Sequence, residues 1–230
     1  MRSLSMRRAT LGLAAAALLA SFTLQAAPEA PPQVRVTTSM GDFVIEVLPD
    51  RAPLTAANFL RYVREGFYTG TVFHRVVSNF VVQGGGHAAG DYKLKPVHES
   101  VPNEAGNGLQ NKRGTVGLAR SETAHSGNSQ FYINLADNTD LDPVPTRWGY
   151  AVFGRIVQGM DVVERMGVVP TGNMGPFPSD APLKPIVIEK VELLSKSAAV
   201  SPAVPGPGAN GSAPQPAAPV PGTNTPPPAP

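Results

Sequence analysis

The chain has 230 residues, no cysteine and a formal net charge of +2. The lack of cysteine excludes a disulfide framework and any thiol chemistry. The excess of basic residues is small, and three of the arginines fall within the first eight residues. The charge therefore gives no reason to expect nucleic acid or an anionic membrane surface as a partner.

The N-terminal segment has the order of a secretory signal peptide. Three arginines precede an apolar run from 11 to 24, and small residues follow at Ala26 and Ala27. This run is shorter than the about 20 residues that a membrane span needs, although an uncleaved anchor is the alternative. We expect residues 1–26 to be removed, which leaves a net charge near −1 and no stable membrane insertion. The product would be exported, with the periplasm as the first expectation and secretion as the second.

The first part of the middle region contains two patterns, one that predicts a hairpin and one that predicts a helix. Apolar residues alternate with period two on both sides of Met40-Gly41-Asp42, which predicts a β-hairpin. Residues 52–68 predict a short amphipathic helix with Pro53 in its first turn and Gly66 as its C-terminal cap. The predicted apolar face of this helix consists of Leu54, Phe59, Tyr62 and Val63.

The stretch TVFHRVVSNFVVQGGG, residues 71–86, predicts a second hairpin that carries an arginine among apolar residues. If residues 78–80 form a three-residue turn, Val77 faces Val81 and Arg75 faces Gln83 across the ladder. Burying an unpaired guanidinium is costly, so we expect the Gln83 amide oxygen to accept a hydrogen bond from it. The alternative is an arginine at the mouth of a barrel, paired with a loop carboxylate.

The same hairpin predicts which side chains share a face. Strict alternation places Phe73, Arg75 and Val77 on one face, and His74 and Val76 on the other. Of these residues, we expect Phe73 and Val76 to belong to ordinary packing.

A long polar loop from 87 to 113 comes next, followed by several short apolar elements. Strands are predicted in GTVGLAR, SQFYINL, GYAVFGRIV and PIVIEKVELL, and a second helix in GMDVVERMG. Many short strands with only two helices do not fit the βαβ alternation of a parallel sheet. The pattern favours a closed antiparallel barrel that is capped by helices.

The C-terminal segment, residues 197–230, is rich in proline, alanine and glycine and has no charged or aromatic side chain. It cannot bury enough apolar surface to offset the entropy of ordering, so we expect it to be disordered with polyproline stretches. Three roles remain open for this segment. It could be a spacer, a ligand for a proline-binding groove or a substrate of the chain's own activity. Residues 33–195 are then of single-domain size.

Familiar catalytic patterns are missing from this domain. The four histidines show no metal-ligand spacing, QGGG lacks the lysine of a phosphate-binding loop, and no GxSxG motif is present. An enzyme with this sequence would have to work without a metal, a cofactor or a nucleophile.

Four blocks of the sequence are similar to signature blocks of the cyclophilin family of peptidyl-prolyl cis-trans isomerases. They are FHRVVSNFVVQGGG, NEAGNGLQNKRGTVGLAR, NSQFYIN and GYAVFGRIVQGMDVV, they occur in the family's order, and the resemblance spans residues 34–194. Together with the signal peptide and the short loops, they resemble the bacterial periplasmic branch. The resemblance implies a mainly β fold, namely a closed eight-stranded antiparallel barrel that is filled by side chains and capped by two α-helices, with a substrate groove on its outside.

The resemblance also implies an activity and its residues. The activity is rotation about X-Pro bonds in unfolded or partly folded exported proteins, with proline-containing polypeptides as partners and a monomer as the working unit. Arg75 matches the catalytic arginine of the family. The positions that match substrate-binding residues are Phe80, Val81, Tyr132 and Leu141 around the proline, Gln83 beside the arginine, Ala119 and Arg120 along the substrate backbone, Gln130, and Tyr150, where many members have a histidine.

Three positions depart from the family's pattern. Val81 stands where methionine is frequent, and Tyr132 adds a hydroxyl where phenylalanine is frequent. Asp140 falls near a tryptophan that helps other members to bind cyclosporin, so we expect weak cyclosporin binding. Asp140, the Tyr132 hydroxyl and the proline-rich C-terminal segment keep an alternative open, a peptide-binding or chaperone module that uses the same groove with little turnover.

Overall fold

Ten strands and two helices form the part of the chain, residues 30–195, that a computed structural model describes. In chain order they are β1 (Gln33–Thr38), β2 (Gly41–Val47), α1 (Pro53–Arg64), β3 (Thr71–Val77), β4 (Val81–Ala88), β5 (Thr115–Leu118), β6 (Phe131–Asn134), β7 (Val152–Gln158), α2 (Met160–Met166), β8 (Thr171–Met174), β9 (Phe177–Pro182) and β10 (Ile186–Leu193). A single 3-10 turn, Thr139–Leu141, precedes β7.

Eight of the strands close into an antiparallel barrel in the order β1-β10-β3-β4-β6-β5-β7-β2. The predicted eight-stranded barrel with two helices is confirmed. Its interior is filled by β-branched and aromatic side chains, and Phe59 of α1 packs against Phe131 and Phe153 with ring centroids 5.7 and 5.1 Å apart. These rings join the helix to the barrel interior and bury large apolar areas. No helix within residues 30–195 is long and apolar enough to cross a membrane.

The first hairpin turns one residue earlier than predicted. Thr38 pairs with Gly41, so the turn consists of Ser39 and Met40, and Asp42 already belongs to β2. The Thr38 hydroxyl accepts a hydrogen bond from the Met40 amide and donates one to the Gly41 carbonyl, and this side chain closes the turn. Gly41 has φ +122°, a conformation that favours glycine.

The N-terminus of helix α1 is capped by a residue that lies far away in the sequence. It begins at Pro53, and Ala52 before it has no side chain that could accept a hydrogen bond. Instead the Glu104 carboxylate accepts from the backbone amides of Leu54 and Thr55 at 3.0 and 2.8 Å. The carboxylate therefore satisfies two of the donors that every helix start leaves free.

The predicted apolar face of this helix is correct for Phe59, Tyr62 and Val63, which are buried, and wrong for Leu54, which is 49% exposed. Leu54 lies five residues before Phe59, which places it about 140° away around the helix. Gly66 follows the helix with φ +66°, as expected of a residue that ends one.

The second hairpin has the predicted register. Val77 pairs with Val81 and Arg75 with Gln83, and Asn79 occupies the turn with φ 56°. Strand β4 continues to Ala88, so the long loop begins two residues later than expected.

The predicted faces of β3 are wrong because the strand contains a β-bulge. Phe73 pairs with Gly84 while Arg75 pairs with the adjacent Gln83, so His74 is an extra residue on β3. After the bulge, the side chains of β3 point to the faces opposite to those predicted. Phe73 and Val76 both pack in the core, as expected for them, and Arg75 is released from the face of Phe73.

Strands β8 and β9 form a separate two-stranded hairpin that the sequence did not predict. Its sequence, TGNMGPFPSDAP, contains two glycines and three prolines and shows no apolar alternation. The hairpin packs against β3, where the Phe177 ring stacks on the His74 ring at a centroid distance of 5.0 Å. This contact brings β9 beside the strand that carries Arg75.

Candidate active site

Nine of the ten predicted site residues line one cavity of about 370 Å³. The tenth, Gln130, adjoins it, because its Oε1 atom accepts a 3.2 Å hydrogen bond from the Gln83 amide. Strands β3, β4 and β6, the segment after β5, the 3-10 turn and the segment before β7 all contribute. The nine lining residues are Arg75, Phe80, Val81, Gln83, Ala119, Arg120, Tyr132, Leu141 and Tyr150.

Arg75 is partly exposed at the cavity and keeps its charge available. Its side chain is 39% exposed, and its guanidinium carbon lies 5.7 Å from the centre of the Phe80 ring. The Nε atom lies 3.9 Å from Oδ2 of Asp180 on β9. The predicted alternative was an arginine paired with a loop carboxylate, whereas Asp180 lies on a strand. The position of Arg75 in the cavity also fits its predicted place in a substrate groove.

The predicted hydrogen bond between Arg75 and Gln83 is wrong for the residues described. The two lie opposite each other in the ladder, but the Gln83 amide donates to Gln130 and the Arg75 guanidinium turns toward Asp180. Cross-strand pairing fixes which backbones face each other and leaves the direction of long side chains to their other neighbours.

Val81 and Tyr132 form the closed wall of the cavity, with exposed fractions of 2% and 4%. The Tyr132 hydroxyl donates a 2.6 Å hydrogen bond to Oδ1 of Asn111 and is buried. Burial raises the pKa of Tyr132 well above its usual value of 10, and the neighbouring Tyr150 adds to the effect. The Tyr132 ring faces the cavity. Its hydroxyl, which phenylalanine would lack, is bonded to Asn111.

Gly117 of β5 makes room for that ring. It pairs with Tyr132 in the ladder, and a Cβ atom at Gly117 would collide with the Tyr132 ring. The glycine is therefore needed for space, since neither its backbone conformation nor a turn requires it.

Asn111 organises the rim of the cavity and was not predicted as a site residue. It is 1% exposed, and its backbone and side-chain amides donate to Oδ1 of Asp142 at 2.7 and 2.9 Å. Asp142 directly follows Leu141, so the network connects the Tyr132 wall to the 3-10 turn. Asn111 lies inside the block NEAGNGLQNKRGTVGLAR that resembles the family, but nothing in that block marks this asparagine as a site residue.

Other groups of the protein bind the side chain of Arg120. Its guanidinium lies 4.3 Å from the centre of the Tyr150 ring and donates to the carbonyls of Trp148 and Gly149 at 2.7 and 3.2 Å. Strand β5 ends at Leu118, so this residue lies just beyond the barrel ladder.

The backbone beside Arg120 has open hydrogen-bonding groups. The Ala119 amide donates to the Gln130 carbonyl at 2.9 Å. The Ala119 carbonyl and the Arg120 amide have no partner among residues 30–195. An extended peptide could pair with these groups.

Across the described part of the chain, no group of three or more histidine, aspartate or glutamate side chains is placed to hold a metal ion. The cavity thus combines an apolar wall, the guanidinium of Arg75, a second arginine, Arg120, that donates to backbone carbonyls, and a short edge of free backbone. Such a site can bind an apolar ring and place a permanent positive charge next to it.

Comparison with known proteins points to one family. The model of the family described as cyclophilin type peptidyl-prolyl cis-trans isomerase/CLD matches residues 33–193. Peptidyl-prolyl cis-trans isomerase A of Dickeya dadantii is 44% identical over 178 residues, which cover 77% of this chain and 93% of that protein. Peptidyl-prolyl cis-trans isomerase B of Escherichia coli is 46% identical over 157 residues, which cover 67% and 94%.

Solved structures show the same fold at lower identity. A cyclophilin type peptidyl-prolyl cis-trans isomerase of Cryptosporidium parvum superposes with a TM-score of 0.59 at 22% identity and covers 73% of this chain and 99% of its own. The cyclophilin AquaCyp293 of Hirschia baltica has a TM-score of 0.58 at 23% identity, with coverages of 74% and 76%. The predicted family is confirmed, and the chain belongs to the cyclophilin-type peptidyl-prolyl cis-trans isomerases, enzymes that need no cofactor.

Proposed function

We propose that the chain accelerates rotation about X-Pro bonds through donation from Arg75 to the prolyl nitrogen in the twisted transition state. The observation that supports this role is the position of Arg75, whose partly exposed guanidinium adjoins the apolar wall of Val81 and Tyr132 in one cavity. The substrates that we propose are proline-containing segments of unfolded or partly folded exported proteins.

Amide resonance explains why one guanidinium is useful. Rotation about a peptide bond faces a barrier of about 18–20 kcal/mol, and an unaided X-Pro bond takes tens to hundreds of seconds to rotate. In the twisted state conjugation is lost, and the prolyl nitrogen recovers a basic lone pair. A donor aimed at that pair stabilises the twisted state more than the planar one. By analogy with a single oxyanion donor, this bond would contribute about 3–4 kcal/mol.

Arginine suits this task because it keeps its proton and presents donors in a fixed geometry. The apolar wall would hold the pyrrolidine ring while the preceding carbonyl swings. The free Ala119 carbonyl and Arg120 amide would pair with the substrate backbone and keep the flanking residues still. No step requires proton transfer.

The direct test is Arg75→Ala in an isomerisation assay on a proline peptide, measured by exchange between cis and trans signals. We expect kcat/KM to fall by about 10²- to 10³-fold. Arg155→Ala is a matched control, because Arg155 lies on β7 outside the cavity and pairs with Glu46. If Arg75→Ala stays within a few-fold of the unchanged protein, the proposed mechanism is wrong.

The alternative of a binding or chaperone module with little turnover depended in part on the extra hydroxyl of Tyr132. That hydroxyl is engaged by Asn111 and leaves the wall apolar, so it gives the alternative no support. The same assay on the unchanged protein separates the two, because a pure binding module would bind the peptide without exchanging its two isomers.

Export is a proposal that rests on sequence. The predicted signal peptide, residues 1–26, and the predicted disordered tail, residues 197–230, lie outside the described residues. We propose a periplasmic protein, which cell fractionation and the N-terminal sequence of the mature product would test. Weak cyclosporin binding at Asp140 and a monomeric state also stay predictions, to be checked by titration and by sedimentation.

A further inference from the structure

The catalytic arginine of the proposed mechanism is contacted by a carboxylate that lies outside the barrel. Asp180 belongs to β9 of the separate hairpin, and its Oδ2 atom lies 3.9 Å from Nε of Arg75. Within residues 30–195, no other acidic side chain forms an ion pair with this guanidinium. The nearest nitrogen is Nε, and at 3.9 Å the pair is an ionic contact without a hydrogen bond.

The hairpin is fixed to β3 by a small aromatic cluster. Phe177 stacks on His74 at 5.0 Å and meets the His87 and Tyr92 rings edge-on at 4.9 and 5.9 Å. His74 is the extra residue of the β-bulge, one position before Arg75. The bulge that turns Arg75 out of the core therefore also presents the ring on which the hairpin is seated.

The backbone at Asp180 is unusual for its residue type. Asp180 has φ +59°, in the left-handed region that non-glycine residues rarely occupy, although asparagine and aspartate tolerate it best. Such conformations cost free energy and persist where the surroundings hold them, often at functional sites. Here the conformation coincides with the contact between the carboxylate and Arg75.

We infer that Asp180 is a positioning residue for Arg75. The carboxylate acts through its charge, which favours orientations of the guanidinium with Nε toward Asp180 and the terminal nitrogens toward the substrate. Both side chains of the pair are about 40% exposed, so the pair adds little to stability and its effect falls on orientation. This inference rests on the proposed role of Arg75.

Two substitutions separate the carboxylate from the backbone conformation. Glycine and asparagine both tolerate a positive φ and both remove the charge of the carboxylate, and asparagine also keeps the size of the side chain. We expect Asp180→Gly to lower kcat by about 3- to 10-fold with KM within two-fold, because the lost interaction serves the transition state. We expect Asp180→Asn to lower kcat to a similar extent, because the charge acts on Arg75 without a hydrogen bond. Ser179→Gly controls for added flexibility in the same hairpin and should leave kcat unchanged.

The thermal unfolding midpoint of each variant shows whether it is folded. A double substitution of Arg75 and Asp180 completes the test. In an Arg75→Lys background there is no planar guanidinium to orient, so Asp180→Gly should cause no further loss. An unchanged kcat in folded Asp180→Gly would overturn the inference. The same fold loss in both backgrounds, or a change in KM alone, would also overturn it. Failure of the proposed mechanism would appear separately, as an Arg75→Ala variant with nearly full activity.

Discussion

The Tyr132 hydroxyl and the Asn111 side chain form a buried 2.6 Å hydrogen bond directly behind the cavity wall. Asn111 in turn holds Asp142, the residue after Leu141, so this one bond links a strand of the barrel to the rim of the cavity. The polar atom added to the wall thus supports the pocket from the interior. We therefore expect loss of this hydrogen bond to lower the stability of the protein more than it lowers substrate binding.

Tyr132→Phe tests this arrangement. The substitution removes one buried hydrogen bond but leaves Asn111 Oδ1 an acceptor for the Asn134 amide at 3.3 Å. We expect the free energy of unfolding to fall by about 1 kcal/mol and kcat/KM to stay within two-fold. Urea unfolding and the peptide assay measure the two quantities. A tenfold loss of kcat/KM at unchanged stability would mean that the hydroxyl contacts the substrate.

Gly117→Ala should damage the same wall by steric means. The new Cβ atom would collide with the Tyr132 ring, which must then move out of its place in the wall. We expect a loss of about 1–3 kcal/mol in stability and a raised KM for proline peptides. Gly106→Ala is a suitable control, because nothing lies within 4 Å of its Cβ position. Equal effects of the two substitutions would contradict the steric explanation.

Much of this site could be predicted because turns and family blocks fix the backbone register. Counting three turn residues after Val77 was sufficient to place Arg75 opposite Gln83. The bulge at His74 could not be foreseen, since a bulge depends on pairing with β4 and leaves no mark in the residue pattern. It changed which side chains share a face and gave the hairpin of β8 and β9 a ring on which to pack.

The partner of Arg75 escaped prediction for a related reason. Asp180 lies far along the chain, in a segment whose glycines and prolines conceal its strands. Only tertiary packing brings its carboxylate to the guanidinium, whereas the sequence pointed to the cross-strand neighbour Gln83 or to an unspecified loop carboxylate. Glu104 lies in the long polar loop predicted from 87 to 113, and likewise only its position in the fold shows that it caps a helix.

Glu104→Ala should therefore destabilise the fold. The substitution removes an acceptor for the amides of Leu54 and Thr55 and for the Thr55 hydroxyl, which bonds to it at 2.7 Å. We expect the free energy of unfolding to fall by about 1–2 kcal/mol, as for the loss of a good N-terminal cap. Glu99→Ala, at another glutamate of the same loop, is the matched control and should have little effect. Indistinguishable urea midpoints for the two variants would refute the capping role.

His74 should give the stability of the protein a distinct pH dependence. Burial lowers the pKa of His74 from 6.5 to about 4, and the nearby His87 and Arg75 add to the effect. Its Nδ1 atom has no hydrogen-bond partner, which agrees with a ring that stays neutral in the folded protein. Between pH 6.5 and pH 4 the unfolded chain therefore binds a proton at this residue that the folded chain does not.

The sign of the effect follows from that difference. The stabilisation is complete above the unfolded pKa of 6.5, is lost progressively as the pH falls toward 4, and changes no further below 4. We expect a loss of about 2–3 kcal/mol between pH 7.5 and pH 4.5 from this residue. His74→Phe keeps a ring to stack on Phe177 and removes the titration. Urea unfolding at both pH values should show a smaller loss in this variant, and an equal loss in the two proteins would show that His74 is not the group responsible.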